Sequence, residues 1–575
     1  MALRFRTTFP LVAIFSIAFF FWCMRRYDQA TFLRFRQHPV DSTQPQTPKP
    51  PPVVEVEPQP IPPPGGSLSD SINEGSTGPP STGGSKEGPT GGSSTGGSSI
   101  GNTGGSSSSG SGSGKSSSKC EVDPVVVPLP FNQWLPHKNY TRAYFRPHFV
   151  SPKAEFSSLE NINSPVLSPF TQMGRGTGYS PATDSSSPCP KVVDVDVAAE
   201  ENIDETAKIL FGLATEVSRL EHLLPSLLYS YGNSKAGLLV LVPETEEDLS
   251  VQQTYFRNRG LDVTLKASPL DFTARYFGMV QAFAEFVRTE RPWTTWLGFM
   301  DDDTFMLSLP AIATELNMFD ATKKHYLGTL SEASWQVDTF GHIGFGGAGV
   351  FVSKPLLDVL EENYDECQSW GEQPGDQKLG QCIQRFGDVQ MTLWPALYQM
   401  DMHGDVDGFY ESGRKILSLH HWNTWYTKDV VKMSSVAAAA GRRSVLRRWV
   451  FDHEEVANPL SGRTFRSFWI LTNGYSLVKY TYDENTPNDA ISFDQVEKTW
   501  DEEGRGFEER LGLMRPMDQA GVFKDRWIMK ESYVVGDNVH QLYIREEAEG
   551  RSIIEIIWLG PKGGGGAGVG GELED

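Results

Sequence analysis

The chain has 575 residues and a formal net charge of −21, with 72 acidic residues against 51 basic ones. This acidic balance argues against a nucleic-acid partner, because phosphate backbones are bound by clustered Lys and Arg. It also disfavours an anionic membrane surface as the docking site of the folded body. The chain is longer than one hydrophobic core usually holds, so we expect a catalytic domain and a second folded unit.

An apolar run over residues 7–24, flanked by arginines on both sides, predicts an N-terminal membrane anchor. Its length is close to the lower limit for crossing a bilayer. A cleaved signal peptide is the alternative, which the bulky Trp22, Cys23 and Met24 disfavour. Because a short arm precedes the run and a large body follows it, we assign residues 1–27 to a cytoplasmic tail and signal anchor of a single-pass type II protein.

Residues 28–119 are rich first in Pro and then in Gly, Ser and Thr, a composition that predicts a disordered stem. Residues 120–191 connect this stem to the body and contain the clearest N-glycosylation sequon, at Asn139. The Gly-rich residues 561–575 are expected to be disordered.

Five cysteines occur in the chain, and Cys23 falls within the expected anchor. None of the other four shows the C-x-x-C spacing of a zinc site, so two disulfides are possible. We favour Cys367 with Cys382, which leaves Cys120 with Cys189, although four cysteines allow three connectivities.

Apolar strands alternate with helical patterns from about Val192 onward, which predicts a mostly parallel α/β sheet over residues 192–430. Strands are expected at residues 207–213, 237–243, 261–265 and 296–300, and helices at residues 217–229, 244–260 and 274–289. Ligands of such sheets bind beyond the carboxyl ends of the strands.

Three adjacent aspartates follow the strand at residues 296–300. Carboxylates at the edge of an apolar sheet are costly unless a cation compensates their charge, and a hard divalent metal is the natural partner. Asp301 and Asp303 can face one ion while Asp302 points elsewhere. This D-x-D arrangement is the one through which sugar transferases hold a nucleotide diphosphate. The alternative is a solvated loop without a ligand. The spacing alone does not decide between them, because Asp194 and Asp196 show it too.

Four downstream segments add to this picture. Residues 344–349 are mostly glycine, which suits a close backbone approach or a tight turn. Asp376 stands at a predicted helix start, as a helix cap or as a general base. Residues 401–408 form an acidic loop that lacks the last ligand of a calcium site, and we interpret it as a polar loop beside the site. His420 and His421 end an apolar strand and could complete a manganese site.

Beyond Trp425 the pattern changes. Residues 430–451 read as helical and carry a basic cluster that we interpret as a solvated or stem-packing face rather than a binding patch. Short alternating runs then predict an antiparallel β-rich C-terminal unit over residues 431–560.

In their order and spacing, these motifs resemble the fringe-like glycosyltransferases of family 31. The resemblance rests on residues 301–305, 346–349, 374–376, 380–382 and 420–422 together with Cys367, and extends back to residues 212–215 and Arg219. It covers about residues 208–425. This sequence departs from the family in having Gly375 where fringe proteins carry an additional acidic residue.

The resemblance implies a GT-A fold, a UDP-sugar donor, manganese, and inverting transfer to a glycan or glycoprotein hydroxyl in the Golgi membrane, with the body lumenal. Asp301 and Asp303 would face the metal, with His421 or His420 as the third ligand. Asp376 would be the catalytic base. The residues expected near the nucleotide are Thr215, Arg219, Asp302 and Gly347.

Two other functions fit parts of the sequence. A non-catalytic carbohydrate-binding or cell-surface scaffold protein could use the same fold without needing Asp301 or Asp376. A glycosidase would use paired carboxylates, but it needs no diphosphate metal site and leaves the histidine pair unexplained.

Overall fold

The computed structural model describes residues 122, 137–151, 158–172, 189–244, 248–486, 493, 495–501, 507–517, 521–548 and 550–561. Within these ranges, no helix is both long enough and apolar enough to span a bilayer. The expected anchor and stem, over residues 1–27 and 28–119, lie outside the described residues. So do Cys120 and nearly all of the Gly-rich C-terminal end.

A seven-stranded sheet forms the first layer of the body. Its strands lie in the spatial order Met391–Leu393, Tyr326–Gly328, Val350–Ser353, Trp296–Met300, Ile209–Ala214, Gly237–Pro243 and Thr264–Ser268. Four neighbouring pairs are parallel, and the two pairs that involve Val350–Ser353 are antiparallel. The expected mostly parallel α/β sheet is thus confirmed.

Helices flank this sheet and begin at side chains that cap them. Asp271 accepts a hydrogen bond from the Ala274 N–H at the start of the longest helix, and Ser308 accepts one from Ala311 in the same way. The helices before residue 400 are Val217–His222, Leu224–Tyr231, Leu249–Asn258, Phe272–Thr289, Leu309–Leu316, Ser334–Phe340, Lys354–Glu362, Tyr364–Gln368 and Gly375–Cys382.

Several elements differ from the sequence-based expectation; the strand expected at residues 261–265 is Thr264–Ser268, and the helix expected at residues 244–260 is Leu249–Asn258. The single helix predicted over residues 217–229 is two helices, Val217–His222 and Leu224–Tyr231, that meet at Leu223. Pro225 lies in the first turn of the second helix. Because proline lacks an N–H and fixes its backbone, it is tolerated at a helix start but interrupts a continuous helix.

A ten-stranded sheet forms the β-rich part of the body, as expected for the C-terminal region. Its strands lie in the order Glu160–Asn161, Arg448–Ala457, Thr464–Thr472, Ser476–Asp483, Val522–Val535, Asn538–Glu547, Gly550–Trp558, His137–Val150 and Thr171–Gln172, with Val192–Ala198 paired to His137–Val150. The neighbours from Arg448–Ala457 to Gly550–Trp558 are antiparallel.

Smaller elements complete the body. Three short strands, Leu397–Tyr398, Ser418–Leu419 and Phe305–Met306, form a third sheet, and Val496–Lys498 pairs with Met514–Pro516. The later helices are Asp407–Tyr410, Val430–Ser434, Ala437–Ala440 and Phe507–Leu511.

The expected start of folded structure near Val192 is wrong. His137–Val150 is a strand that pairs in parallel with Gly550–Trp558 near the other end of the chain. Val192–Ala198 belongs to this ten-stranded sheet rather than to the seven-stranded one. The sequon at Asn139 lies within the first of these strands, where the buried Thr141 hydroxyl donates to the Ser168 carbonyl.

The helix expected over residues 430–451 is also wrong. Two short helices, Val430–Ser434 and Ala437–Ala440, lie there instead, and the second ends at Gly441, whose φ of 78° a residue with a side chain adopts only at a cost. A strand, Arg448–Ala457, follows. A solvated face is wrong for Arg448 of the basic cluster, which is buried and donates to the carbonyls of Ser158, Glu411 and Phe493. Packing of the cluster against the stem stays a prediction, because the stem lies outside the described residues.

The disulfide expectation is confirmed for Cys367 and Cys382, which are bonded to each other. Cys189 is also disulfide-bonded, and its expected partner, Cys120, lies outside the described residues. The bonded pair ties the helix Tyr364–Gln368 to the helix Gly375–Cys382, the element that carries Asp376.

One continuous apolar core joins the two large sheets. It contains Phe211 and Met300 from the seven-stranded sheet together with Trp469 and Trp558 from the ten-stranded sheet. The domain boundary at residues 430 and 431 stays a prediction, and the core of the described residues runs across it. The β-rich region is therefore packed into the body rather than attached beside it.

An ion-pair network reinforces this junction. The Arg526 Nε atom, from a strand of the ten-stranded sheet, donates to Glu411 at 2.8 Å, and the Arg526 guanidinium also pairs with Asp407. Lys428 donates to Asp407 at 2.8 Å, and the Tyr475 hydroxyl also donates to it. Although burial opposes ionisation, the hydrogen bond and charge of Arg526 hold the pKa of Asp407 well below its usual range.

We expect Arg526→Met to lower the free energy of unfolding by about 3 kcal/mol, because it leaves two largely buried carboxylates short of a cation. The measurement is the shift in Tm by thermal denaturation of the purified body. Arg288→Met is the matched control, since it removes only an exposed arginine that pairs with Glu361 and should have a much smaller effect on the free energy of unfolding. Equal effects of the two changes would contradict a stabilising role for the network.

Candidate active site

The three aspartates lie at the carboxyl end of the central strand Trp296–Met300, whose five residues are all buried. The chain turns there, with the Thr304 N–H donating to the Asp301 carbonyl, and continues as Phe305–Met306. That short strand pairs antiparallel with Ser418–Leu419, with Phe305 opposite Leu419. His420, the next residue, is thereby brought beside Asp303.

The contact that defines the candidate metal site joins His420 to Asp303. The His420 Nε2 atom lies 2.9 Å from Asp303 Oδ1 and 3.5 Å from Asp301 Oδ2. Asp303, His420 and His421 each offer a ligand atom within 4.8 Å of the others. The Trp422 indole N–H donates to the Asp303 backbone carbonyl at 2.8 Å, and this hydrogen bond holds the aspartate loop in place.

The hydrogen bonds of His420 identify which of its ring nitrogens faces the carboxylates. Its Nδ1 atom lies 3.3 Å from the Gln399 carbonyl oxygen, which only accepts, so Nδ1 carries a proton. In the neutral ring, the Nε2 lone pair then points at carboxylate oxygens, an arrangement that requires a proton or a cation between them. A carboxylate and a neutral imidazole oriented by a carbonyl are a suitable ligand set for a divalent metal.

The charges of these groups are strongly coupled. Burial lowers the pKa of His420, but its hydrogen bond to Asp303 and the nearby carboxylates outweigh this and raise the pKa to about 9. Desolvation, together with repulsion from Asp376 and Asp303, raises the pKa of Asp301, even though 42% of its side-chain surface is exposed. The site therefore holds excess negative charge that a cation would neutralise.

His421 has a different environment from His420. Its Nε2 atom lies 3.2 Å from Asp401 Oδ1, and its ring stacks on Trp425 at a centroid distance of 3.8 Å. Burial lowers the pKa of His421. The geometry thus favours His420 over His421 as the ligand that acts with Asp303.

Asp302 points away from the other two aspartates, as expected from the D-x-D spacing. Its Oδ1 accepts from Arg219 Nη2 at 2.6 Å, its Oδ2 accepts from Arg219 Nε at 2.5 Å, and the Thr215 hydroxyl also donates to Oδ2. Thr215 follows the strand Ile209–Ala214, and Arg219 lies in the next helix. The structure thus brings together three of the residues expected near the nucleotide, while their contact with it stays a prediction.

Gly347, the fourth of these residues, lies against the metal-facing histidine. A Cβ atom on Gly347 would come within 2.3 Å of the His420 ring, so no larger residue fits there. The Gly347 carbonyl accepts a hydrogen bond from Thr304 at 2.9 Å. The structure therefore gives this glycine a packing role, and its expected contact with the nucleotide stays a prediction.

Asp376 lies in the first turn of the helix Gly375–Cys382, facing the glycine segment. Its Oδ2 atom accepts from the Gly346 N–H at 3.0 Å, and its Oδ1 atom accepts from the Gln377 N–H at 2.8 Å. Burial nevertheless raises the pKa of Asp376. A carboxylate that is held in place and made more basic is suited to accept a proton.

Gly375, where the sequence departs from the fringe pattern, also has a packing reason. A Cβ atom there would lie 2.4 Å from the Tyr276 side chain, and one on Gly346 would lie 2.7 Å from the Tyr276 hydroxyl. Tyr276 therefore fills the space beside Asp376. No motif in the sequence indicated this tyrosine.

The acidic segment over residues 401–408 divides between two places. Asp401 is buried, faces His421 and accepts from the Ser331 hydroxyl at 2.6 Å. Asp407 joins the network with Arg526 instead. The fully buried Glu332 accepts from the Asp401 N–H at 3.1 Å, and burial together with Asp401 raises the pKa of Glu332. Sequence reasoning missed Glu332, because it stands in no recognisable motif.

Comparison with known proteins gives one family match. Residues 337–437 match the model of a family described as "Protein of unknown function, DUF604", a span that includes Asp376, His420 and His421. The match covers less than half of the chain. No curated protein matches this chain.

Three solved structures illustrate what the body is similar to. A glycosyltransferase involved in the glycosylation of the major capsid of PBCV-1 is 15% identical with a TM-score of 0.24, covering 38% of this chain and 96% of that one. A putative nucleotide-diphospho-sugar transferase from Desulfovibrio desulfuricans is 13% identical with a TM-score of 0.24, covering 38% and 92%. The mannosyltransferase PcManGT from Pyrobaculum calidifontis, in complex with GDP-Man and Mn2+, is 12% identical with a TM-score of 0.21, covering 36% and 60%. At such low TM-scores and identities, these likenesses carry no argument about function, which rests on the residues of the site.

Proposed function

We propose that the protein is a metal-dependent glycosyltransferase that moves a sugar from a UDP-sugar to a hydroxyl of a glycan or glycoprotein. The observation that carries this proposal is the convergence of Asp303 and His420 at 2.9 Å, at the carboxyl edge of the α/β sheet. Asp376 faces the same glycine segment that packs against His420. A metal-binding group and a poised base thus share one site.

Asp303 and His420 would hold the metal, which we take to be manganese, and Asp301 is close enough to complete the ligand set. When bound, the ion would neutralise charge on the departing diphosphate. The second layer of the site supports these ligands, because Gln399 orients His420 and Trp422 holds the aspartate loop.

Asp376 would act as the base. Its two oxygens are fixed by backbone N–H groups, and its raised pKa favours proton transfer from an acceptor hydroxyl. The attacking oxygen would then displace the diphosphate from the opposite face of the anomeric carbon in one step, and a single displacement inverts that centre. The proton passes to Asp376, and the bond to the diphosphate breaks as the new glycosidic bond forms.

Arg219 is the cation available to the donor on the other side of the aspartate loop. Its guanidinium is held by Asp302 in a two-point pairing, yet 52% of its side chain remains exposed. An oriented, accessible guanidinium is suited to bind phosphate or ribose oxygens. Asp302 and Thr215 would therefore position Arg219 for the nucleotide.

The cellular setting belongs to the same proposal. The apolar residues 7–24 would anchor the protein as a type II membrane protein of the Golgi, with the stem holding a lumenal body away from the bilayer. The disulfide between Cys367 and Cys382 is consistent with an oxidising compartment.

The proposal is tested by incubating the purified body, residues 120–575, with a panel of UDP-sugars and measuring release of UDP. We expect one donor to be turned over with Mn2+ and none in the presence of chelator. Asp303→Ala should abolish this turnover, because it removes the ligand closest to His420.

Asp196→Ala is the matched control, since this aspartate has the same D-x-D spacing but lies on an exposed edge, paired with His148. Asp196→Ala should leave turnover unchanged. If the protein binds none of the UDP-sugars, the proposal is contradicted and a non-catalytic carbohydrate-binding or scaffold protein is favoured.

A further inference from the structure

Three aromatic rings stack in line beside the proposed metal site. The His421 and Trp425 rings are 3.8 Å apart with an interplanar angle of 4°, and the Trp425 and His403 rings are 4.5 Å apart with an angle of 15°. The stack begins next to His420, whose ring lies 3.8 Å from that of His421. The stack therefore leads away from His420 and ends at His403.

The backbone around these rings is held in an uncommon conformation. His403 and His421 have φ values of 53° and 51°, in the left-handed region that residues with side chains seldom adopt. Tyr426 fixes this arrangement, because its hydroxyl accepts from the His403 N–H at 3.1 Å and donates to the Met400 carbonyl at 2.6 Å. Strain that the surroundings maintain in this way is frequent at binding sites.

The surface at the outer end of the stack is aromatic and accessible. Trp425 is 44% exposed although both its faces are covered by histidines, so its edge remains for a ligand, and the neighbouring His403 is half-buried. Asp405 follows Gly404 in the chain, the Asp501 carboxylate lies against Gly404, and both aspartates are exposed. Their negative charge disfavours an anionic ligand, while their oxygens can accept hydrogen bonds from hydroxyl groups.

We propose that the ring stack of His421, Trp425 and His403, with the carboxylates of Asp405 and Asp501, is the acceptor subsite, and that it takes a neutral glycan. The inference rests on the proposed function and names the acceptor class of the same site. The apolar C–H face of a sugar ring would lie on His403 and the Trp425 edge, and the sugar hydroxyls would donate to the two carboxylates. The stack starts beside the metal-facing histidine, so an acceptor held there would reach the reaction centre.

The test measures two rates on the full-length protein in detergent. The first is release of UDP from the donor without acceptor, and the second is transfer to p-nitrophenyl galactoside, mannoside, N-acetylglucosaminide and glucuronide. We expect the unsubstituted protein to use at least one neutral glycoside and to prefer it over the glucuronide. His403→Ala should raise the acceptor KM about 3- to 10-fold, in line with the loss of one stacked ring, and leave donor KM and acceptor-free UDP release unchanged.

His148→Ala is the matched control, because this histidine is exposed on a strand of the ten-stranded sheet, and it should change neither rate. Asp405→Asn together with Asp501→Asn should reduce the preference for neutral acceptors. The inference would be overturned by an unchanged acceptor KM in His403→Ala, by a preference for the glucuronide, or by use of no neutral glycoside. In each of these cases, normal UDP release would still uphold the proposed function. A raised donor KM would assign the stack to the uracil base and overturn it. Absence of donor binding and UDP release in the unsubstituted protein would overturn both.

Discussion

A chain confined to residues 192–430 is expected not to fold, although it contains the whole seven-stranded sheet and every proposed catalytic residue. The reason is the shared core. Trp469, Trp527 and Trp558 of the ten-stranded sheet belong to the same apolar cluster as Phe211 and Met300. Fully burying a large apolar side chain contributes about 1.5–3 kcal/mol, so losing several such partners exceeds the stability of about 5–15 kcal/mol that a folded body has.

The same truncation would also remove part of the ion-pair network around Arg526. Asp407 and Glu411 would lose Arg526, which donates to both. Val192–Ala198 would lose its pairing with His137–Val150 and would present an unpaired edge, which promotes aggregation. The expected product is insoluble protein without a cooperative unfolding transition.

The measurement compares soluble yield, size-exclusion profile and thermal unfolding with those of residues 120–561. That longer chain keeps both sheets and should be soluble and cooperative. A monodisperse fragment of residues 192–430 with a sharp transition would show that the β-rich region is dispensable for folding.

Asp376→Asn is expected to reduce sugar transfer by about 10²- to 10⁴-fold, the usual contribution of a general base. The amide has nearly the same shape as the carboxylate, but it does not accept the proton of the attacking hydroxyl. Donor KM and the dependence on Mn2+ should be retained, because the Asp376 carboxylate is held by the Gly346 and Gln377 N–H groups rather than by the proposed metal ligands. Initial rates of transfer at saturating donor provide the measurement.

Asp365→Asn is the control, an exposed aspartate on the neighbouring helix Tyr364–Gln368, and it should have no effect. A pH profile adds a second criterion. The base acts when deprotonated and burial raises its pKa, so transfer by the unsubstituted protein should fall as the pH drops through this raised pKa and level off above it. A transfer rate that increases toward acidic pH, or one that survives Asp376→Asn, would exclude Asp376 as the base.

Local features of the sequence determined the part of the site that lies within single segments. An apolar strand that ends in three carboxylates predicts a cation site at the strand end, because burial and repulsion penalise unpaired carboxylates. The alternation of strands and helices predicts a mostly parallel sheet, which the structure confirms. Cys367 and Cys382 are separated by only 15 positions in the sequence, and each alternating run of the C-terminal region is also short. Both patterns were informative because each lies within a short stretch of chain.

Only the tertiary structure decided how distant segments combine. Tyr140 and Glu555 interact across 415 residues, and no local periodicity encodes such a pairing. His420 and His421 are indistinguishable in sequence, but the Gln399 carbonyl and the ring of Trp425 separate their environments. Asp401 and Asp407 belong to one acidic segment, yet one faces the site and the other joins Arg526. Sequence specifies which groups carry charge, whereas the partner that each charge meets depends on strand pairing and core packing far along the chain.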